Sequence, residues 1–122
     1  NGTIIIDDAF NSNPAGAKAA LETLSKFDAL RIVATPGMIE LGEREYQLNK
    51  ELGENAAECC DIAILVGERQ APPIKEGLLA KQFPENHIIV AKDLDEAMRS
   101  AYSIQPGRKR VILLENDLPD NF

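Results

Sequence analysis

Ile62-Ala63-Ile64-Leu65-Val66-Gly67 sets five apolar residues in succession, three of them β-branched, and closes them with glycine. The run does not alternate apolar with polar, so a strand here buries both of its faces, as strands of a parallel sheet do. Upstream, Leu41, Leu48, Leu52, Ala56 and Cys59 recur at near-helical spacing and predict a helix over about Glu43 to Cys60. Downstream, Pro72-Pro73 leads into a shorter helix over Ile74 to Gln82, with Leu78 and Leu79 supplying most of its apolar face, and His87 to Val90 reads as the next strand. The alternation continues outward. Thr3 to Ile6 and Leu30 to Ala34 are apolar runs that flank a helix over Pro14 to Phe27; Ala17, Ala20, Leu21, Leu24 and Phe27 share one face, Asn13 is the N-cap and Pro14 lies in the first turn. Leu94 to Tyr102 turns Leu94, Ala97, Met98 and Ala101 inward behind an Asp93-Leu94-Asp95-Glu96 capping box, and Arg110 to Leu114 is the last strand. Strand and helix alternating with short connections predict a three-layer α/β/α sandwich with a mostly parallel, Rossmann-like sheet.

The 122 residues make one domain, 1–122, which at this length buries roughly two-thirds of its extended-chain surface and needs no disulfide or metal staple. Cys59 and Cys60 are adjacent, so they neither bridge comfortably nor reach metal-site spacing, and they read as small core fillers in a reducing compartment. A formal charge of -7 opposes a phosphate backbone or an anionic bilayer. Arg108-Lys109-Arg110, the one basic cluster, reads as a solvated turn, and no apolar run approaches the roughly 20 residues of a membrane span. These features predict a cytoplasmic protein with no nucleic-acid or membrane partner. Asn1-Gly2 is a strong hairpin-turn signal with no strand before it, so the chain is expected to be a fragment cut from a longer protein.

Polar residues gather where the strands stop: Asp7-Asp8 and Asn11-Ser12-Asn13, then Thr35-Pro36-Gly37, then Gly67-Glu68-Arg69, then Glu115-Asn116-Asp117. The carboxyl edge of a parallel sheet is where such folds bind ligands. Asp7 and Asp8 face opposite sides if they continue the strand, so at most one points into the crevice; a carboxylate there accepts from ribose hydroxyls or assists a metal, and Asp7 reads equally as a satisfied acceptor. Asp8 is the favoured ligand, as the residue deeper in the loop. Asn11 and Asn13 carry amides suited to a base edge or a peptide-like substrate, although Asn13 is also explained as the cap. The longer connection Thr35 to Gly42 contains Pro36-Gly37 and Glu40 and follows directly on a strand.

No G-x-G-x-x-G follows the first strand and no G-x-x-x-x-G-K-[ST] occurs, so the chain lacks glycine-lined cradles for a pyrophosphate or a triphosphate. His87, the sole histidine, has no evident triad or zinc partners and reads as exposed or at a sheet edge. An acidic pair after a first strand also suggests a response-regulator receiver, but Val66-Gly67-Glu68 offers no phosphorylatable aspartate at the end of the third strand. Neither a general base nor a covalent nucleophile emerges, so no residue is assigned a catalytic or metal-ligating role.

Three ordered segments, Ile6-Asp7-Asp8-Ala9-Phe10-Asn11-Ser12-Asn13-Pro14, Thr35-Pro36-Gly37-Met38-Ile39-Glu40-Leu41-Gly42 and Glu115-Asn116-Asp117-Leu118-Pro119-Asp120, carry a resemblance over nearly the whole chain to the carboxy-terminal, glutamate-ligase-type domain of the bacterial Mur ligases. Within that family the first segment is most similar to the branch that adds D-alanyl-D-alanine to UDP-N-acetylmuramoyl-tripeptide, with Phe10 where a tyrosine is frequent. The resemblance implies a three-domain enzyme of peptidoglycan biosynthesis, whose first domain holds the UDP-sugar and whose central domain carries the P-loop and most of the magnesium ligands. ATP would activate a peptide carboxylate as an acyl phosphate, and the dipeptide amine would attack it. By the same resemblance, Asp7, Asp8, Asn11 and Asn13 are the nucleotide-side candidates. Thr35, Pro36, Gly37, Glu40, Asn116, Asp117 and Asp120 are candidates for amine-substrate binding or closure. The chain would partner its own N-terminal and central domains and be inactive alone. A noncatalytic Mur-like interaction or regulatory module, or a ligase for another amine, are the alternatives.

Overall fold

The computed structural model describes residues 2–9 and 13–116. Along the chain run β1 (Thr3–Asp8), α1 (Pro14–Ser25), β2 (Leu30–Thr35), α2 (Glu45–Cys59), β3 (Ile62–Val66), α3 (Ala71–Ala80), β4 (Ile88–Ala91), α4 (Leu94–Ser103) and β5 (Arg110–Glu115). The strands form one sheet in the order β1-β5-β2-β3-β4, and every neighbouring pair is parallel. The last strand thus inserts between the first two. Three layers result, as the alternation predicts, with unequal cover: α1, α2 and α3 pack on one face around Leu21, Leu24, Leu52, Ile74 and Leu78, whereas among the described residues α4 is the one helix on the other, through Ala97 and Ala101.

Asn13 caps α1 by accepting from the Ala15 and Gly16 amides, and α1 stops at Ser25, two residues before the expected end, with Lys26 as C-cap. α3 begins at Ala71, so Pro72 and Pro73 sit inside its first turn, where the missing N–H groups break no helical bond. The α4 capping box forms through the Asp93 carboxylate and the Glu96 amide at 2.8 Å, while Glu96 reaches back to the amide of Lys92 at 3.0 Å. α2 and α3 meet backbone to backbone at glycines: a Cβ on Gly53 would lie 2.1 Å from the Ile74 carbonyl oxygen, and one on Gly77 would lie 1.9 Å from that of Lys50.

Four sequence expectations need correction. Burial on both faces holds for β3 but not for the edge strands, because Ile4 and Ile5 of β1 and Val90 of β4 remain exposed. His87 closes a short 3-10 turn over Glu85–His87 and meets the Phe83 ring edge-on; β4 starts one residue later. Arg110 is not part of a solvated turn. It is buried, and its guanidinium donates to the carbonyls of Ala101, Ile104, Gln105 and Arg108, which ties the end of α4 to the start of β5. Asp8 is not a loop residue, since β1 runs on through it. Cys60 is buried and Cys59 partly so; both are free thiols, and burial pushes the Cys60 thiol far up. No helix among the described residues is long and apolar enough to cross a membrane.

Candidate functional site at the carboxyl edge

β1, β2 and β5 each extend beyond their apolar run, and the extensions carry the polar residues. The register pairs Asp7 with Leu114 and Asp8 with Glu115, so both aspartates end β1 beside the end of β5. Asp7 is exposed and accepts from the Ala9 amide at 3.1 Å, a local turn closure. Asp8 is half-buried and on the same side as Ile6, the side that packs against α1. Across β5, the pairs Val33–Leu113 and Ala34–Leu114 bring Thr35 level with Glu115. Asp8, Glu115 and Thr35 therefore stand abreast on three neighbouring strands.

The Thr35 hydroxyl donates to Oδ1 of Asn116 at 2.8 Å and accepts from the Gly37 amide at 3.0 Å. Asn116 is buried in the left-handed region at φ 67°, a conformation its short amide side chain tolerates. The end of β1, the Pro36-Gly37 loop and the start of the final segment thus share one rim. Asn13 flanks it as the helix cap. Asn11, Asp117 and Asp120 lie outside the described residues. Glu40 is exposed with φ 63°, on the outer part of the loop.

Sequence reasoning missed the side chain that shapes this loop. Asn49 of α2 is fully buried; its Oδ1 accepts from the Met38 amide at 2.8 Å, and its Nδ2 donates to the carbonyls of Met38 and Glu45 and to Oε1 of Gln70. Gln70 in turn donates to Glu45, and that bond holds the Glu45 carboxyl below its ordinary range. Gly37 fits under this network because it has no Cβ: at φ 83°, one would meet Gln70 Cβ at 2.5 Å and Asn49 Oδ1 at 2.9 Å. A polar residue on an otherwise apolar helix face was the available signal.

Beside the loop, along the ends of β2, β3 and β4, lies a crevice of about 760 Å³. Met38, Val66 and Val90 supply apolar walls, while Glu68, Arg69, Lys92 and Glu96 bring both signs of charge to its margin. Such a mixture suits a small ligand with short apolar groups and opposite charges at its ends. Among the described residues no three of His, Cys, Asp and Glu come together as a metal site.

An all-parallel α/β sheet with a ligand-sized crevice at its carboxyl edge defines the class. Within it, the chain belongs to the family described as Mur ligase, glutamate ligase domain, whose profile matches residues 1–115. It is 35% identical over 51 residues to the UDP-N-acetylmuramoyl-tripeptide--D-alanyl-D-alanine ligase of Haemophilus influenzae, a match covering 42% of this chain and 11% of that protein. Among solved structures it resembles MurF from Acinetobacter baumannii, with a TM-score of 0.75 and 24% identity over 93% of this chain and 25% of that one. A MurF ligase from Thermotoga maritima in complex with ADP matches with a TM-score of 0.73 and 22% identity, over 96% of this chain and 26% of that one. The chain thus spans about a quarter of the length of these solved relatives.

Proposed function

We propose that this chain is the closing domain of an ATP-dependent ligase that joins D-alanyl-D-alanine to UDP-N-acetylmuramoyl-tripeptide in the cytoplasm. The observation that carries the reading is the single rim on which Asp8, the Thr35–Gly37 loop and Asn116 converge, next to a crevice with apolar walls and charges of both signs. The similarity to ligases of that name, one solved with ADP, supports the same assignment.

ATP is the source of the phosphoryl group that activates the acceptor carboxylate. The residues at hand fit only part of it. Asp8 at the rim would accept from ribose hydroxyls, with Asp7 and Asn13 as further candidates beside it, but no glycine-and-lysine cradle for the phosphates exists in the sequence. Among the described residues no three of His, Cys, Asp and Glu come together, and magnesium would be held mainly by the central domain. In the crevice, the dipeptide ammonium would meet Glu68 or Glu96, its carboxylate Arg69 or Lys92, and its methyl groups the apolar walls. Docking of the rim over the central domain would exclude water from the activated carbonyl and bring the amine within reach. The chain's contribution is positioning, and alone it would be inactive.

Asp8→Asn in the intact ligase is expected to raise the apparent KM for ATP with little loss of stability, because a half-exposed carboxylate contributes little to the core. An unchanged KM in a folded variant would remove Asp8 from the nucleotide site. Turnover of ATP and D-alanyl-D-alanine by this chain alone would overturn the closing-domain reading.

A further inference from the structure

Glu115 is completely buried, yet neither of its carboxyl oxygens meets an N–H or O–H donor elsewhere among the described residues. An ionised carboxylate in that setting is strongly disfavoured. Its place in the sheet supplies the explanation. Glu115 pairs in register with Asp8, and adjacent parallel strands set paired side chains next to each other on one face. Two ionised carboxylates there offer only acceptors; one retained proton provides the missing donor. Burial, then the hydrogen bond to Asp8 and the Asp8 charge, push Glu115 up to about 9, so the proton resides on the buried partner.

The surroundings leave Asp8 as the group that matters. β2 contributes Thr35, whose hydroxyl is given to Asn116; α1 and α2 cover this face with Ala17, Leu21, Leu24 and Leu52. Lys18 of α1 is exposed, and among the described residues no charged group other than Asp8 acts on Glu115.

We propose that Glu115 is a positioning residue, which donates a hydrogen bond from its carboxyl O–H to the Asp8 carboxylate and fixes that group at the rim. The proposal rests on the assignment of Asp8 to the nucleotide. A buried donor beneath the Asp8 carboxylate favours one rotamer of that side chain before the ligand arrives. Loss of the proton would set two negative charges side by side and push the Asp8 carboxylate out of that position, so affinity for the nucleotide falls at alkaline pH.

The test combines carboxyl 13C NMR on this chain with kinetics of the intact ligase. In the wild type, the Glu115 carboxyl stays neutral at pH 7, and Asp8→Asn lowers its titration midpoint by about one unit or more. A midpoint that Asp8→Asn does not move overturns the pairing. In the intact ligase, Glu115→Leu is expected to raise the KM for ATP about tenfold with kcat nearly unchanged, the loss of one charge-assisted hydrogen bond. Glu115→Gln, which keeps an N–H donor, should recover most of that loss. If Asp8→Asn raises the KM and Glu115→Leu does not, the positioning role fails while the nucleotide assignment stands. If Asp8→Asn leaves the KM unchanged although the NMR coupling is present, the nucleotide assignment fails and takes the functional half of the proposal with it. The NMR measurement decides the pairing even if Glu115→Leu does not fold.

Discussion

The hydroxyl of Thr35 donates to Oδ1 of Asn116 at 2.8 Å, joining the ends of β2 and β5 across 81 residues of sequence. The same oxygen receives the Gly37 amide, so one buried hydroxyl closes the loop after β2 and anchors the segment after β5. Thr35→Val keeps the shape and removes both bonds, leaving the Gly37 amide and the Asn116 amide oxygen without this partner. A loss of about 1–3 kcal/mol in urea unfolding is expected, with Thr35→Ser recovering most of it. Equal stability of the Val and wild-type proteins would show that the hydroxyl does not hold the rim.

Gly37 combines a left-handed backbone with a contact that excludes a Cβ. Gly37→Ala should therefore destabilise by about 1–3 kcal/mol and move the loop away from Gln70. Gly42 has φ 66° but open space around it, so Gly42→Ala meets only the backbone cost of about 1–2 kcal/mol. Chemical shifts of Asn49 and Gln70 that change in the first variant and not in the second would confirm the steric origin; identical responses would refute it.

Asn49→Leu removes the clamp on Met38 and strands the Met38 amide and carbonyl in a buried site. The expected cost is about 2–4 kcal/mol, with faster hydrogen exchange at Met38 than at the centre of β3. In the intact ligase the KM for the dipeptide should rise more than that for ATP, because the loop borders the crevice. A uniform rise in both would place the loop elsewhere in the mechanism.

Glu115 makes stability depend on pH. Its carboxyl titrates at about 9 in the fold, against an ordinary value of 4.5, so between those values the folded chain retains a proton that the unfolded chain loses. Stability therefore falls as pH rises across that window, by on the order of 1 kcal/mol per unit from this group. Glu115→Gln should flatten the urea-unfolding profile between pH 5 and 8 and gain stability relative to wild type at pH 8. Parallel profiles for the two proteins would mean that Glu115 is ionised in the folded state.

The parallel architecture was legible because continuous apolar runs such as Ile62–Val66 alternate with helical periodicity, and local caps at Asn13 and Asp93 mark helix starts through bonds a few residues long. The polar clusters at strand ends pointed to the carboxyl edge for the same reason: position along a strand is encoded locally. Strand order was not so encoded. Only the folded sheet inserts β5 between β1 and β2, and that insertion makes Asp8, Glu115 and Thr35 neighbours. Exposure of Ile4 and Ile5, burial of Arg110, the clamp by Asn49 and the pairing of Glu115 with Asp8 all depend on partners in other elements, up to 107 residues away, or on an edge position in the sheet. Hydrophobic period and capping act over a few residues and are written in the chain. Desolvation, register and charge pairing between distant segments come into being only when the sheet closes its order, and they decide which of the legible residues make up the rim.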